Sequence, residues 1–373
     1  MKHSCIETKS GIRIGFGRPC FIVAEIGNNH QGDIAVARKM VQTAAQIGVD
    51  AVKFQKRHTE SLLSRAGMDA PYTGPNSFGK TYGEHRNALE LDVEQMKELK
   101  ALAESLGLVF FASAWDGVSL EQLLDMDMQI LKICSADLVN IPLLRQAGTA
   151  NIPIILSTGM STLEEIDRAV AELRRFHDRI ILLHCNSCYP CPDEEICLPV
   201  MNILKERYGL PVGYSGHERG IGPSVGAAAL GACVVERHFT LDKTMRGTDH
   251  VASLEPEEFS RLVSMIREVE VASSGREKRV FKGEAEAAKK LRKSIVAARD
   301  LRAGLILGPG DITVKSPGTG VSPLEWDDMI GSRLLQGVKK DEMILWDMVS
   351  AAPTESVGGA EYGEKVLSLF SAP

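Results

Sequence analysis

The chain has 373 residues, 44% of them hydrophobic, and a formal net charge of −6 at pH 7. This length allows one large core and a small second domain, and the mixed charges indicate no basic surface for nucleic acid. No segment reaches the roughly 20 apolar residues of a membrane span, and the N-terminal MKHSCIETKS lacks the apolar run of a secretory signal. We therefore expect a cytoplasmic protein that binds neither membranes nor nucleic acid.

Short apolar runs alternate with amphipathic helical patterns from residue 20 to about residue 270. The apolar runs are nearly continuous, as in parallel strands that are buried on both faces. The predicted strands are CFIVAEIG (20–27), AVKFQ (51–55), LVFFASA (108–114), QILKICS (129–135), PIILSTG (153–159), IILLHCN (180–186), PVGYSGH (211–217) and CVVERHF (233–239). Eight such units predict an α/β fold, a (β/α)₈ TIM barrel. A doubly wound open sheet is the alternative.

Capping residues predict the start of two helices. Asp92 is a candidate N-cap for the helix at 92–107, and Ser161 with Glu164 resembles a capping box for the helix at 161–176.

Polar side chains end the predicted strands. The chemistry of a barrel lies at the carboxyl ends of its strands, so polar groups at that rim indicate an active site. These residues are Glu25, Lys53, Gln55, Ser113, Lys132, Ser135, Ser187, Ser215, His217, Glu236 and His238. Arg237 should point the opposite way by strand alternation, towards the outer helices and a structural partner.

His217 and His238 end neighbouring strands, which lie about 5 Å apart. Two neutral imidazoles there could hold one divalent cation, with water or substrate as the other ligands. The alternative is a pair of ordinary hydrogen-bonded histidines.

Lys53 and Lys132 each interrupt an apolar strand. Two lysines with nearby hydroxyls at a barrel mouth favour a phosphate or carboxylate ligand. Glu25 and Glu236 could accept hydrogen bonds from hydroxyls or hold a proton. The alternative for each lysine is a salt bridge, or a side chain that reaches the rim.

Composition divides the chain into four parts. The barrel is predicted at 1–272, with a long loop at 57–91 that we interpret as a functional flap. A charged linker follows at 273–291, then a compact domain rich in Gly and Pro at 292–350, and a flexible tail at 351–373.

Three cysteines form the pattern Cys185-x-x-Cys188-x-x-Cys191, with Cys197 as a candidate fourth ligand. An iron–sulfur or zinc site is one interpretation. Pro190 and the incomplete spacing favour unrelated thiols instead. The segment STGMST (157–162) is a weak phosphate-binding signal that a strand-to-helix turn explains equally well.

Several sequence blocks resemble the sialic acid synthase family. They are AEIGNNHQGD (24–33), KFQK (53–56), APYTGPNSFGKTYGEHR (70–86), LKICSAD (131–137), ILSTGMST (155–162), GYSGHERGI (213–221) and VERHFTLDKTMRGTDHVASLEP (235–256). The domain at 292–350 resembles that family's antifreeze-like (SAF) domain. The resemblance covers about residues 18–350, and two blocks look especially like the animal-type branch, which acts on the 6-phosphate of N-acetylmannosamine.

The resemblance implies an enzyme, a transferase that condenses phosphoenolpyruvate with N-acetylmannosamine or its 6-phosphate and releases phosphate by C–O cleavage. It implies a metal, Mn²⁺ before Mg²⁺ or Co²⁺, on His217 and His238. The residues implied to bind phosphoenolpyruvate are Lys53, Ser113, Lys132, Ser135, Ser187 and Ser215. The residues implied to orient the sugar or handle protons are Glu25, Gln55, Asp137, Tyr189, Glu236 and Asp249.

Two positions depart from the bacterial members of the family. Ser187 stands where many have asparagine, and Ser316 stands where many have an arginine that reaches the partner subunit's site. Whether Lys315 replaces that arginine is open. The family also implies a domain-swapped homodimer.

Other functions remain as alternatives to the sialic acid synthase. The same reaction on a diacetamido-dideoxy hexose would make legionaminic or pseudaminic acid. An inactive barrel with a sugar-binding C-terminal domain, or a redox enzyme that uses the cysteines, belongs to a different class.

Overall fold

The computed structural model of the protein describes residues 5–275 and 277–350. The chain divides into two compact units, with the boundary between residues 276 and 277. The predicted tail at 351–373 lies outside the described residues. The predicted ends of the barrel at residue 272 and of the linker before residue 292 stay predictions.

Eight parallel strands close into a barrel in the first unit. Its last strand pairs with its first, so the predicted (β/α)₈ barrel is confirmed and the open sheet was wrong. A hairpin that was not predicted precedes the barrel. The hairpin strands are β1 (Cys5–Glu7) and β2 (Arg13–Gly15), and the barrel strands are β3 (Phe21–Gly27), β4 (Ala51–Lys56), β5 (Val109–Ala114), β6 (Leu131–Ile133), β7 (Ile154–Ser157), β8 (Ile180–Cys185), β9 (Val212–Gly216) and β10 (Val234–His238).

Helices connect the barrel strands. They are α1 (Ile34–Ile47), α2 (Thr59–Leu62), α3 (Arg65–Asp69), α4 (Tyr82–Ala88), α5 (Val93–Ser105), α6 (Gly117–Asp125), α7 (Ile141–Thr149), α8 (Leu163–Arg174), α9 (Val200–Tyr208), α10 (Gly222–Ala229) and α11 (Pro256–Ser273). Asp92 caps α5 as predicted, because its side chain accepts from the Gln95 N–H. The capping box of α8 lies one residue later than predicted, with Thr162 and Glu165 in place of Ser161 and Glu164. None of the helices in the described ranges is long and apolar enough to span a membrane.

The barrel interior is apolar towards the amino ends of the strands. The side chains there form one buried hydrophobic cluster, which also includes Ile6 and Ile14 of the β1–β2 hairpin. The barrel members of that cluster are Phe21, Val23, Ala51, Val109, Phe111, Ile130, Ile155, Ile181, Leu183, Cys233 and Val234. Successive side chains of a strand alternate between its two faces, so the next inward-facing residue lies two positions further along. Towards the carboxyl ends these residues are mostly polar: Glu25, Lys53, Ser113, Lys132, Ser157 and Glu236.

Arg237 points away from the barrel interior, as strand alternation predicts. Its guanidinium is fully buried and lies 2.8 Å from Glu218 Oε1. It also donates to the hydroxyl of Ser224, on α10, and to the carbonyl of Gly220. Tyr214 donates to the second Glu218 oxygen, so the buried charges are paired and hydrogen-bonded.

The second unit has its own core, which includes Ile295, Leu307, Ile312 and Ile344. Its strands form two antiparallel pairs, and a salt bridge of 2.6 Å joins Lys315 to Asp341 within this unit. Its elements are α12 (Ala285–Leu291), β11 (Ser294–Ala297), β12 (Ile312–Lys315), α13 (Trp326–Met329), β13 (Arg333–Leu334) and β14 (Val349–Ser350).

Replacing Arg237 by methionine should lower the free energy of unfolding by about 3–5 kcal/mol, because Glu218 is then buried without its cation. Urea unfolding measures the change. The matched control is Arg145→Met, which breaks an ion pair whose arginine is exposed and should change stability little. Equal losses in the two variants would contradict the role given to Arg237.

Candidate active site

A cavity of about 230 Å³ lies at the carboxyl ends of the barrel strands. All of the residues predicted for the site line it except Asp137 and Asp249. The predicted residues that line it are Glu25, Lys53, Gln55, Ser113, Lys132, Ser135, Ser187, Tyr189, Ser215, His217, Glu236 and His238. We call this space the inner cavity.

A buried ion pair crosses from β3 to β4 in the inner cavity. The strand register sets Glu25 beside Lys53, and Lys53 Nζ lies 2.8 Å from Glu25 Oε2 and 3.6 Å from Glu236 Oε1. Lys53 also donates to Ser113 Oγ at 3.2 Å, and Gln55 Nε2 donates to Glu25 Oε1 at 2.7 Å. Burial raises the pKa of Glu25 although Lys53 opposes it. Burial alone would lower the pKa of Lys53, but Glu236 and Glu25 raise it.

Lys132 is buried with neutral partners. Its ammonium donates to Ser157 Oγ at 2.6 Å and to the Ile133 carbonyl at 3.2 Å, and it forms no ion pair within the described ranges. Burial lowers its pKa, against the more distant charge of Glu236. A charge held this way is costly unless an anion binds beside it.

Hydroxyl groups surround the two lysines. Ser135 Oγ accepts from the Gly159 N–H at 3.0 Å. A Cβ at position 159 would lie 2.4 Å from Ser187 Oγ and 2.8 Å from Ser135 Oγ. Glycine at this position therefore leaves room for both hydroxyl groups. Ser215 Oγ donates to Glu236 Oε1 at 3.2 Å, whereas Glu236 Oε2 is buried without a hydrogen-bond partner.

The two histidines face each other under Tyr189. Their ring centroids are 5.4 Å apart, and the Tyr189 ring lies 4.0 Å from the His217 ring. His217 Nδ1 lies 2.7 Å from the Asn186 carbonyl, which can only accept, so Nδ1 carries a proton and Nε2 is the nitrogen that could bind a metal ion. Burial alone would lower the pKa of His217, but Cys185 and the Asn186 carbonyl raise it. Burial lowers the pKa of His238 to about 3, and its Nδ1 has no hydrogen-bond partner.

A second cavity of about 320 Å³ continues outward from the first. It shares Gln55, Trp115, Tyr189 and His238 with the inner cavity. Asp249 lies here, with Oδ2 4.0 Å from His238 Nδ1. We call this space the outer cavity.

The loop at 57–91 forms one wall of the outer cavity. Tyr72, Phe78, His85 and Arg86 line it, and the Tyr72 and His85 rings lie 4.4 Å apart. The loop folds into α2, α3 and α4, and Thr81 begins α4 with a capping box. This loop is therefore an ordered wall of the cleft.

Asp137 does not line either cavity. Its carboxylate accepts from Asn140 Nδ2 at 3.0 Å and from the Cys134 thiol at 3.2 Å. It belongs to the short 3₁₀ turn that leads into α7, where Asn140 is the N-cap. The structure thus gives Asp137 a local structural role.

Sequence reasoning missed several lining residues. Ser157 ends β7 as Ser113 ends its own run, so the rule applied to the other strands could have found it. Arg57 and Trp115 follow Gln55 and Ser113 by two residues, which is the same strand face. Other missed residues lie in long loops and gave no local signal; among them are Tyr72, Phe78, His85, Arg86 and Arg246.

The three cysteines of the C-x-x-C-x-x-C pattern do not converge. Cys185 and Cys191 are buried and Cys188 is exposed. In the described part of the chain, no group of three or more His, Cys, Asp or Glu side chains is placed to hold a metal ion.

Two family models match the chain. Residues 40–278 match the NeuB family and residues 292–350 match the SAF domain. The chain is 38% identical to human N-acetylneuraminate-9-phosphate synthase over 346 residues, and this match covers 92% of this chain and 96% of the human protein. The chain therefore belongs to the NeuB family and carries a SAF domain.

Other relatives bear related names. N,N'-diacetyllegionaminic acid synthase of Campylobacter jejuni is 39% identical over 87% of this chain and 98% of its own. The crystal structure of N-acetylneuraminic acid synthetase from Leptospira borgpetersenii in complex with citrate is 32% identical, with a TM-score of 0.68, and covers 77% of this chain and 96% of its own. The resemblance to sialic acid synthases and the prediction of an enzyme are thus confirmed.

Proposed function

We propose that this protein is a sialic acid synthase that condenses phosphoenolpyruvate with N-acetylmannosamine or its 6-phosphate and releases inorganic phosphate. The observation that carries the proposal is the buried ammonium of Lys132, which lacks a carboxylate partner in a cavity shared with His217 and His238. The names of the human and Leptospira relatives support the same reaction. The legionaminic and pseudaminic acid alternatives are not better supported, and the pseudaminic acid synthase of Helicobacter pylori is only 29% identical.

The inner cavity suits the anionic substrate. Lys132 and Lys53 bind the phosphate and carboxylate groups of phosphoenolpyruvate through charge-assisted hydrogen bonds. Ser113, Ser135 and Ser215 donate further hydrogen bonds. Because Lys53 is already paired with Glu25, Lys132 supplies most of the uncompensated positive charge.

The reaction forms one bond and breaks another. Carbon 3 of phosphoenolpyruvate attacks the aldehyde carbon of the sugar, and the aldehyde oxygen takes up a proton. Water adds at carbon 2 and passes a proton to Glu236 Oε2, which has no hydrogen-bond partner in the structure. The bond between carbon 2 and the phosphate oxygen then breaks as the hydroxyl on carbon 2 passes its proton to the departing phosphate, which leaves a ketone and releases inorganic phosphate. The proton gained by Glu236 balances the one taken up at the aldehyde oxygen.

His217 and His238 fit a divalent cation, which we propose to be Mn²⁺, with Mg²⁺ or Co²⁺ as alternatives. The Asn186 carbonyl holds a proton on His217 Nδ1, and both imidazole rings line the inner cavity. A cation held there would polarise the aldehyde oxygen of the sugar. Asp249 and Tyr189 border the same space, where we propose that they orient the sugar.

The remaining proposals concern the protein as a whole. We propose the predicted division into barrel, linker and SAF domain, a cytoplasmic location and a domain-swapped homodimer. The pairing of Lys315 with Asp341 does not favour Lys315 as the replacement for the family arginine.

Lys132→Gln should raise the KM for phosphoenolpyruvate about ten- to a hundred-fold, because a hydrogen bond to a charged group is worth about 1.5–3 kcal/mol. The assay measures phosphate release with Mn²⁺ and each N-acetylmannosamine substrate. Lys97→Gln on α5, which is exposed, is the control. No phosphate release by the unmodified protein with any N-acyl mannosamine would sink the proposed function, and an unchanged KM would remove Lys132 from the anion site.

His217→Ala and His238→Ala should each abolish the binding of one Mn²⁺ per barrel, because each removes half of the protein ligands. Calorimetric titration measures the binding, and circular dichroism checks that the variants are folded. His177→Ala, before β8 and so at the opposite end of the barrel, should keep the site. Stoichiometric Mn²⁺ in either of the first two variants would overturn the assignment.

A further inference from the structure

Arg57 is a buried arginine to which the proposed reaction gives no role. It directly follows β4, and its side chain is 2% exposed. The guanidinium lies over the Trp115 ring at 4.2 Å, and Nη1 lies 3.3 Å from Glu90 Oε1. Because Glu90 compensates its charge inside the protein, Arg57 offers little positive charge to a substrate anion. Its N–H groups serve acceptors of the protein itself.

The two terminal nitrogens of Arg57 donate to side-chain amides at the rim of the barrel. Nη1 donates to Asn28 Oδ1 at 3.0 Å, and Nη2 donates to Gln55 Oε1. A guanidinium has N–H donors and no acceptor, so the Gln55 amide must turn its oxygen towards Arg57. The amide nitrogen then faces Glu25 and donates to its Oε1 at 2.7 Å. Arg57 thus determines which way round the Gln55 amide lies.

The hydrogen bond between Gln55 and Glu25 lies in a confined space. A Cβ at position 27 would lie 3.1 Å from both Gln55 Nε2 and Glu25 Oε1. Gly27 has a φ of +54°, and the register of β3 against β4 shifts between residues 25 and 27. The backbone at Gly27 therefore bends in a way that leaves room for this one hydrogen bond.

Glu25 connects these contacts to the reacting groups. Its second oxygen, Oε2, lies 2.8 Å from Lys53 Nζ in the inner cavity. A reversed Gln55 amide would place Oε1 against Glu25 Oε1, and two acceptors in contact repel each other. The carboxylate would then move from its place beside Lys53, and a misplaced catalytic group lowers the rate steeply. The orientation of one amide therefore matters for the lysine that binds phosphoenolpyruvate.

We propose that Arg57 is a positioning residue of the synthase, which acts through Gln55 on the buried ion pair of the inner cavity. The inference rests on the proposed function and adds to it a residue that acts on protein groups. Glu90 anchors Arg57 from the far side, because Glu90 Oε2 also accepts from the Arg57 backbone N–H at 3.0 Å. Arg57 therefore couples the end of the long loop to the reacting groups.

The test is a double-mutant cycle on kcat for phosphate release, at saturating phosphoenolpyruvate and N-acetylmannosamine substrate. Arg57→Met should lower kcat about ten-fold, because Gln55 loses the charged donor that orients it. In a Gln55→Leu background the same substitution should change kcat by less than about two-fold, since that protein has no amide to orient. The KM of the sugar should be the same in Arg57→Met as in the unmodified protein.

Lys56→Met is the matched control. Lys56 is also buried, and its Nζ lies 3.4 Å from Glu90 Oε2. This variant loosens the same end of the loop without touching Gln55, so it should keep kcat. Circular dichroism checks that each variant is folded. Where Arg57→Met is unfolded, Arg57→Lys takes its place in the cycle, because one ammonium keeps the charge beside Glu90 but lacks the planar fork that also reaches Gln55.

Three results would overturn the role of Arg57 and leave the synthase in place. The first is a kcat that stays unchanged in Arg57→Met, or that falls by the same factor in both backgrounds. The second is a higher KM of the sugar in both backgrounds, since Arg57 would then contact the sugar directly. The third is an equal loss of kcat in Lys56→Met, which would assign the effect to the loop. No phosphate release by the unmodified protein would overturn both proposals.

Discussion

The buried contact between Lys53 and Glu25 is the interaction on which the site depends. Both side chains are at most 4% exposed, and taking each charge out of water costs several kcal/mol. The barrel offsets that cost by holding Gln55, Ser113 and Glu236 in hydrogen-bond or ion-pair contact with them. The ion pair and these partners come from four strands, β3, β4, β5 and β10, so the charges are oriented before any substrate arrives.

Strand alternation then divides the polar residues between catalysis and structure. On β10, Glu236 and His238 face the cavity, whereas Arg237 between them is fully buried on the other face against Glu218. Three successive charged or titratable residues thus serve two purposes without conflict. Lys132 differs from all of them, because its ammonium has only neutral partners and is the group most in need of an anion.

The barrel and most of the inner cavity could be predicted, because both follow from the order of residues along single strands. Ser157 followed the same rule and was overlooked. Asp137 was assigned from a family block, but it accepts hydrogen bonds from its own turn. Arg86 and Arg246 could not be predicted, because they line one cavity only when two long loops fold over the rim and set them on Tyr82 and Phe78.

The central claim is that this charged rim condenses phosphoenolpyruvate with an N-acetylmannosamine substrate and breaks a carbon–oxygen bond. The most direct measurement uses phosphoenolpyruvate with ¹⁸O in the oxygen that bridges carbon 2 and phosphorus, followed by mass spectrometry of both products. We predict that the label appears in the released phosphate, while carbon 2 of the new sugar acid takes its oxygen from water. Label retained at carbon 2 of the sugar acid would contradict the mechanism.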